Sequence, residues 1–115
     1  INPRWYNYAV AGMRKAVLSG TCHAANIPGI EVCGKTGTAQ NRGHDHSAFM
    51  GFAPMTSPRI AVVAYIENGG FGAVYGVPIG ALIMEQYLNG SLSPSSEKKA
   101  QVIQNRHIKY GDYIR

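Results

Sequence analysis

At 115 residues the chain is long enough for one domain with one core, and its 45% hydrophobic composition excludes a disordered segment. Its 14 glycines and 6 prolines demand many turns, which suits short strands better than a helix bundle. The formal charge of +5 is uneven: Lys98, Lys99, Arg106, Lys109 and Arg115 face only Glu97 and Asp112 after residue 96, and with Tyr110 and Tyr113 as the sole stacking aromatics there, a solvated tail is expected rather than a nucleic-acid surface.

Residues 3 to 19 predict a helix. Pro3 suits its start, Gly20 its stop, and Trp5, Ala9, Gly12, Met13, Ala16 and Val17 recur as a core-facing stripe. Thr21 to Pro28 reads as an extended segment running into a turn at Pro28-Gly29. Gly29 to Gln40 predicts a strand, because Val32 and Cys33 favour β structure and Thr-Gly-Thr opposes a helix. Asn41 to Asp45 is a polar loop that turns the chain back as a hairpin through Arg42-Gly43. Ser47 to Ala53 is the second strand, and Pro54 to Pro58 the next turn. Arg59 to Glu67 is the third strand, and its apolar run from Ile60 to Ile66 predicts cover on both faces. Asn68 to Gly72 is a flexible loop. Pro78 opens a helix to about Leu88 with Ile79, Leu82, Ile83 and Tyr87 as its buried stripe, and Asn89-Gly90 stops it. Ser91 to Ser96 reads as linker, and the tail from Glu97 has weak helical character without an apolar face.

Short connections make the three strands antiparallel neighbours. The layout is helix, three-stranded antiparallel meander, helix, basic tail, which is α+β, with residues 1–90 as one unit and 91–115 as linker and tail. No apolar run is long enough to span a bilayer and no signal-peptide pattern opens the chain. A start on Ile1 rather than Met reads as a piece of a longer protein. Cys22 and Cys33 fit no zinc or redox spacing and are expected as two ordinary buried or half-buried thiols.

The chemistry concentrates on Lys35-Thr36-Gly37-Thr38, which puts a cation, two hydroxyls and an unhindered backbone on consecutive residues of a strand. That set can hold an anion and polarise a carbonyl. Gly34 and Gly37 each remove a Cβ, so that a ligand can lie against the main chain. Gly29 to Thr36 also matches the Walker A pattern letter for letter. A P-loop needs a glycine-rich turn opening a helix, whereas Ile-Glu-Val-Cys is strand-forming and Thr-Gly-Thr-Ala starts no helix, so a nucleotide site is rejected.

Gly34-Lys35-Thr36-Gly37-Thr38-Ala39-Gln40, then Asp45-His46-Ser47, Gly51-Phe52-Ala53-Pro54 and Glu67-Asn68-Gly69-Gly70 follow one another in order. Over roughly residues 4 to 90 this set resembles the C-terminal part of the transpeptidase domain of class B penicillin-binding proteins, most closely the elongation type, penicillin-binding protein 2. The resemblance implies the penicillin-binding/serine β-lactamase-like transpeptidase fold and a peptidoglycan D,D-transpeptidase that cross-links the cell wall. It implies roles for matching residues. Lys35 would sit beside the serines, Thr36 and Thr38 would bind the peptide carboxylate, the Thr38 backbone N–H would serve the oxyanion hole, and Gly37 and Gln40 would complete the substrate-binding set. Implied partners are a stem peptide ending in D-Ala-D-Ala, β-lactams, the rest of the domain and elongation-machinery membrane proteins, with an inner-membrane anchor and the domain outside. No cofactor or metal is implied. The nucleophile is expected outside this chain. Ser95-Ser96-Glu97-Lys98 and Ser96-Glu97-Lys98-Lys99 are the Ser-x-x-Lys strings, both after Lys35 where the family places its serine before, so the isolated chain should be inactive. A hydrolase of related chemistry, a D,D-carboxypeptidase or β-lactamase, and a non-catalytic β-lactam sensor or scaffold are the alternatives.

His44-Asp45-His46 could place two imidazoles on one strand face, but no third metal ligand accompanies them, so Asp45 is expected to cap a turn and His46 to lie near the cleft mouth. His23 and His107 are expected as ordinary surface or satisfied residues. Gly69 to Tyr75 could be a lip of the site or a plain connector. Glu67 and Glu85 show no partner. A chain lacking the rest of its sheet should expose apolar surface and self-associate.

Overall fold

The computed structural model describes residues 1–40, 42, 45–70 and 73–106. Helix α1 spans Pro3–Ser19, started by the Asn2 side chain, which accepts from the Arg4 N–H. Strands β1 (Cys33–Ala39), β2 (His46–Ala53) and β3 (Ile60–Ile66) form an antiparallel meander in the order β1-β2-β3. Helices α2 (Gly76–Asn89) and α3 (Pro94–Gln104) follow. The α+β expectation holds, with one helix more than predicted.

The register sorts the sheet into two faces. Thr36 pairs with Phe49 and Phe49 with Ala64, while Lys35 pairs with Met50 and Met50 with Val63. Side chains alternate along a strand, so Phe49, Ala53, Val62 and Ala64 share the covered face, and all are buried. The core there joins Val17, Cys22, Ala25, Val32, Val77 and Met84 to Phe49. The opposite face is open: Met50 is 54%, Val63 75% and Tyr65 56% exposed. The second cover of β3, expected from a larger parent sheet, is not supplied by the described residues of this chain. Its apolar run reflects both faces of the strand, but helices of this chain lie on only one.

Four other expectations change. In α1 only Val17 is buried, with Met13 and Ala16 half-buried, while Trp5, Ala9 and Gly12 are exposed. The stripe is present, but the sheet meets only the C-terminal end of a helix about 25 Å long. Residues 21–28 are not extended: His23–Ala25 form a 3₁₀ turn. A three-residue repeat sends both Cys22 and Ala25 into the core, which an extended segment cannot do. Ile27 and Ile30 then bridge around Gly29 at φ +82°, so β1 begins at Cys33 rather than Gly29. Helix α2 buries Val77, Gly80, Ala81 and Met84 rather than the bulky stripe; Ile83 and Tyr87 are exposed. The helix is apolar on two sides, and the side carrying Gly80 and Ala81 is the one that can descend onto the Phe49 ring.

Half of the stretch expected as linker, Pro94 to Ser96, joins the weakly helical tail from Glu97 to form α3. Ser93 is its N-cap, accepting from the Ser96 N–H, and Pro94 begins it. Glu85, buried and expected to be without a partner, accepts from the Ser93 N–H at 2.8 Å and the Ser96 hydroxyl at 2.8 Å. A carboxylate at a helix N-terminus is favoured by the helix dipole, so Glu85 docks α3 onto α2. Ser96, shared by the two Ser-x-x-Lys strings, is therefore a buried first-turn residue that donates to Glu85, while Ser95 is exposed on the same turn, 3.2 Å from the Ser93 hydroxyl. The tail beyond residue 106, including His107, lies outside the described residues.

Candidate active-site strand

Strand β1 is one edge of the sheet, paired among the described residues with β2 alone. Its opposite backbone edge offers donors and acceptors to an extended ligand. The lead-in is anchored by the Arg14 guanidinium, which donates to the Val32 carbonyl at 2.9 Å. Cys33 and Gly34 are buried, and the strand emerges into solvent from Lys35 onward.

The two glycines of the motif have different reasons. A Cβ at Gly34 would sit 2.5 Å from Phe49 Cε1, and one at Gly51 would sit 2.6 Å from Phe49 Cζ. Gly34 is thus required by the Phe49 ring, which corrects the expectation that it opens the backbone to a ligand. At Gly37 a Cβ would meet only the Ala48 Cβ, at 3.6 Å, and the residue is exposed. Gly37 is the position where a ligand can approach the main chain.

Lys35 is exposed on the open face, its Nζ donating to the Thr36 carbonyl at 2.8 Å. Thr36 and Thr38 alternate to the other side, in register with Phe49 and Ser47. The Thr36 hydroxyl lies 3.0 Å from that of Thr21. The strand thus brings the expected residues onto one short edge, but the pleat separates the Lys35 ammonium from the two hydroxyls. Thr38 and Gln40 are exposed.

Cys22 and Cys33 are free and buried. Burial pushes both thiols up; against it, the Thr21 hydrogen bond, Lys35 and Thr36 act on Cys22, and Arg14 acts on Cys33, where Glu31 adds to the rise. Both stay protonated and unreactive at neutral pH, as expected of structural thiols.

Asp45-His46-Ser47 proves to be a fastening. The Asp45 carbonyl accepts from the Gly70 N–H at 2.7 Å, His46 Nδ1 from the Asn68 N–H at 2.9 Å, and the buried Ser47 hydroxyl from the Gly76 N–H at 3.0 Å. Ser47 thereby caps α2, whose own N-cap, Tyr75, makes no side-chain bond. Spacing alone could not reveal these bonds, because their partners lie 22 to 29 residues away. No group of three metal-ligating side chains exists among the described residues, and His44, with part of the predicted lip (residues 71–72), lies outside them.

The sequence matches the family described as the penicillin binding protein transpeptidase domain over residues 1–87. The chain belongs to that family. Among curated relatives it is 36% identical to peptidoglycan D,D-transpeptidase PbpA of Mycobacterium tuberculosis, covering 56% of this chain and 15% of the relative. It is also 36% identical to peptidoglycan D,D-transpeptidase MrdA of Acinetobacter baumannii, covering 52% and 12%. Among solved structures, penicillin-binding protein A from M. tuberculosis as a ceftriaxone acyl-enzyme complex superposes with a TM-score of 0.63 at 28% identity, over 70% of this chain and 20% of that one. The chain therefore spans about a seventh of the curated relatives and a fifth of the solved one. The penicillin-binding transpeptidase family and its α+β fold agree with the sequence reading, and the Walker A match runs into strand β1 at Cys33, which continues as strand to Ala39 where a P-loop would open a helix.

Proposed function

We propose that this chain supplies the substrate-binding strand of a peptidoglycan D,D-transpeptidase. The carrying observation is an exposed edge strand holding Lys35-Thr36-Gly37-Thr38, open at Gly37, in a chain of the penicillin-binding transpeptidase family.

In this reading the donor peptide adds to the free edge of β1 as an extra antiparallel strand. Its terminal carboxylate is drawn by the Lys35 ammonium and bound by the Thr36 and Thr38 hydroxyls, Thr36 exchanging Thr21 for the ligand. Gln40 contacts the peptide further along the strand. A serine outside this chain attacks the penultimate D-Ala carbonyl, and the Thr38 N–H stabilises the developing oxyanion. The C–N bond to the terminal D-Ala breaks, and that residue leaves as a protonated amine. The amine of a neighbouring strand then attacks the ester, restoring the serine and forming the cross-link. A β-lactam is held in the same way, as the ceftriaxone acyl-enzyme of the M. tuberculosis relative supports. The work is extracytoplasmic, where peptidoglycan lies. The inner-membrane anchor and the contacts with elongation-machinery membrane proteins belong to the rest of the protein, and no helix among the described residues is long and apolar enough to cross a membrane.

Intact mass after incubation with benzylpenicillin tests this, on the chain and on the same gene extended upstream. A stable adduct on the long form alone is expected. An adduct on neither refutes the enzyme reading, an adduct on the short chain refutes the external nucleophile, and rapid loss of the adduct to water points to a hydrolase.

A further inference from the structure

The residues that pair with the far end of the substrate strand are also the ones that grip the β3–α2 connection. His46 is the cross-strand partner of Ala39, and Ser47 that of Thr38. On its other side, β2 is bound at the same two residues: His46 Nδ1 accepts from the Asn68 N–H at 2.9 Å, and the Ser47 hydroxyl from the Gly76 N–H at 3.0 Å. The Gly70 N–H to Asp45 carbonyl bond, at 2.7 Å, completes a row of three. Asn68 is buried and holds φ +55°, a conformation uncommon outside glycine, so its turn is a specified shape rather than slack chain.

We infer that His46 is a positioning residue for acyl transfer: its Nδ1 lone pair fastens the Asn68 turn and so fixes the end of β2 against which the Thr38 peptide is aligned. The inference rests on the transpeptidase reading above. The role needs a bare Nδ1, which places the ring proton on Nε2, because an imidazolium has no acceptor. Ser47 and Asp45 accept through a hydroxyl and a main-chain carbonyl, so His46 is the member of the row whose acceptor is a side-chain ring nitrogen. The groups around it are the Tyr65 ring on β3, with centroids 5.4 Å apart, Asp45 beside it, Glu67 at the end of β3, and Lys35 four residues before Ala39 on the same open face. The helical core packs on the other face of the sheet, and Arg14 of α1 is the helix charge that reaches β1, at its Val32-Cys33 start.

The test uses the complete transpeptidase domain containing this chain, with His46→Ala and His46→Asn. Asparagine offers its Oδ1 near the place of Nδ1. Acylation by benzylpenicillin is followed at neutral pH, separating the acylation rate from initial binding, and amide exchange at Asn68 and Gly70 is measured on the same samples. His46→Ala should lower the acylation rate about three- to tenfold, as loss of one hydrogen bond allows, with binding little changed and exchange at Asn68 accelerated. His46→Asn should recover most of the rate and restore protection at Asn68. Equal rates in His46→Ala and wild type overturn the inference, as does an Asn variant no better than Ala. Wild-type protein that forms no adduct refutes the transpeptidase reading instead. The exchange arm still decides the fastening in that case, because unchanged protection at Asn68 in His46→Ala shows that Nδ1 does not hold the turn.

Discussion

Replacing Gly34 by alanine should damage the fold, while the same change at Gly37 should spare the fold and damage the chemistry. The new Cβ at Gly34 would lie 2.5 Å from Phe49 Cε1, 3.0 Å from Cζ and 3.3 Å from the Met50 carbonyl oxygen. The Phe49 ring is 1% exposed and already packs where Gly51 and Gly80 lack side chains, so retreat pushes it into main chain on two elements. Overpacking of this kind costs about 1–3 kcal/mol, and the blocked retreat places Gly34→Ala near the upper value, about 3 kcal/mol. At Gly37 the nearest neighbour of a new Cβ is the Ala48 Cβ at 3.6 Å, an ordinary contact, so stability should change by no more than about 0.5 kcal/mol. Denaturant unfolding of the complete domain measures both, read as a change in midpoint at constant slope. Adding Phe49→Leu should rescue Gly34→Ala, with a coupling of at least about 1 kcal/mol in the double-mutant cycle. Gly37→Ala should instead slow acylation by benzylpenicillin about tenfold or more, because the methyl group occupies the surface along which the ligand lies. Wild-type stability in Gly34→Ala, or strict additivity with Phe49→Leu, would refute the packing argument.

Three further outcomes are expected. Glu85→Ala leaves the Ser93 N–H and Ser96 hydroxyl without their acceptor; it should cost about 1–3 kcal/mol and expose α3 to proteolysis before the sheet is cut, so a fully protected α3 would count against the docking role. Burial raises both cysteine thiols, so the folded state prefers them protonated: stability should be level below the ordinary thiol value of 9.0 and fall as pH rises beyond it, and unfolding midpoints from pH 7 to 10.5 would show the opposite slope if the thiols were ionised in the fold. The isolated chain should self-associate through the open sheet face and the β3 edge, which has no charge or proline between Ile60 and Ile66; Val63→Lys should weaken association in sedimentation, and a concentration-independent monomer would exclude it.

Much of the site was legible because its signal is local. The ordered run from Gly34 to Gln40 identifies a strand, a cation and two hydroxyls without reference to the rest of the chain, and the three-strand meander follows from short connections between β-forming runs. The α2 stripe was misread for a physical reason. Periodicity ranks faces by hydrophobicity, whereas the packed face was chosen by how closely it can approach, and Gly80 and Ala81 win over Ile83 and Tyr87. The weak helix expected from Glu97 begins earlier, at Pro94 after the Ser93 cap, and what the local pattern did not show is its docking through Glu85, which hydrophobic periodicity does not register as a partner for Ser93 and Ser96.

The amino-acid order alone thus determined the family, the element types and which residues carry charge and hydroxyls. Tertiary structure decided why each one is there. It made Gly34 a packing residue and left Gly37 open, placed the Ser-x-x-Lys strings in the first turns of a helix docked through Ser96 and Glu85, and made Asp45-His46-Ser47 a fastening for a turn more than twenty residues away. Local sequence encodes what a residue can do, but long-range packing supplies the partner, and only the partner determines whether a glycine makes room for a ring or for a ligand.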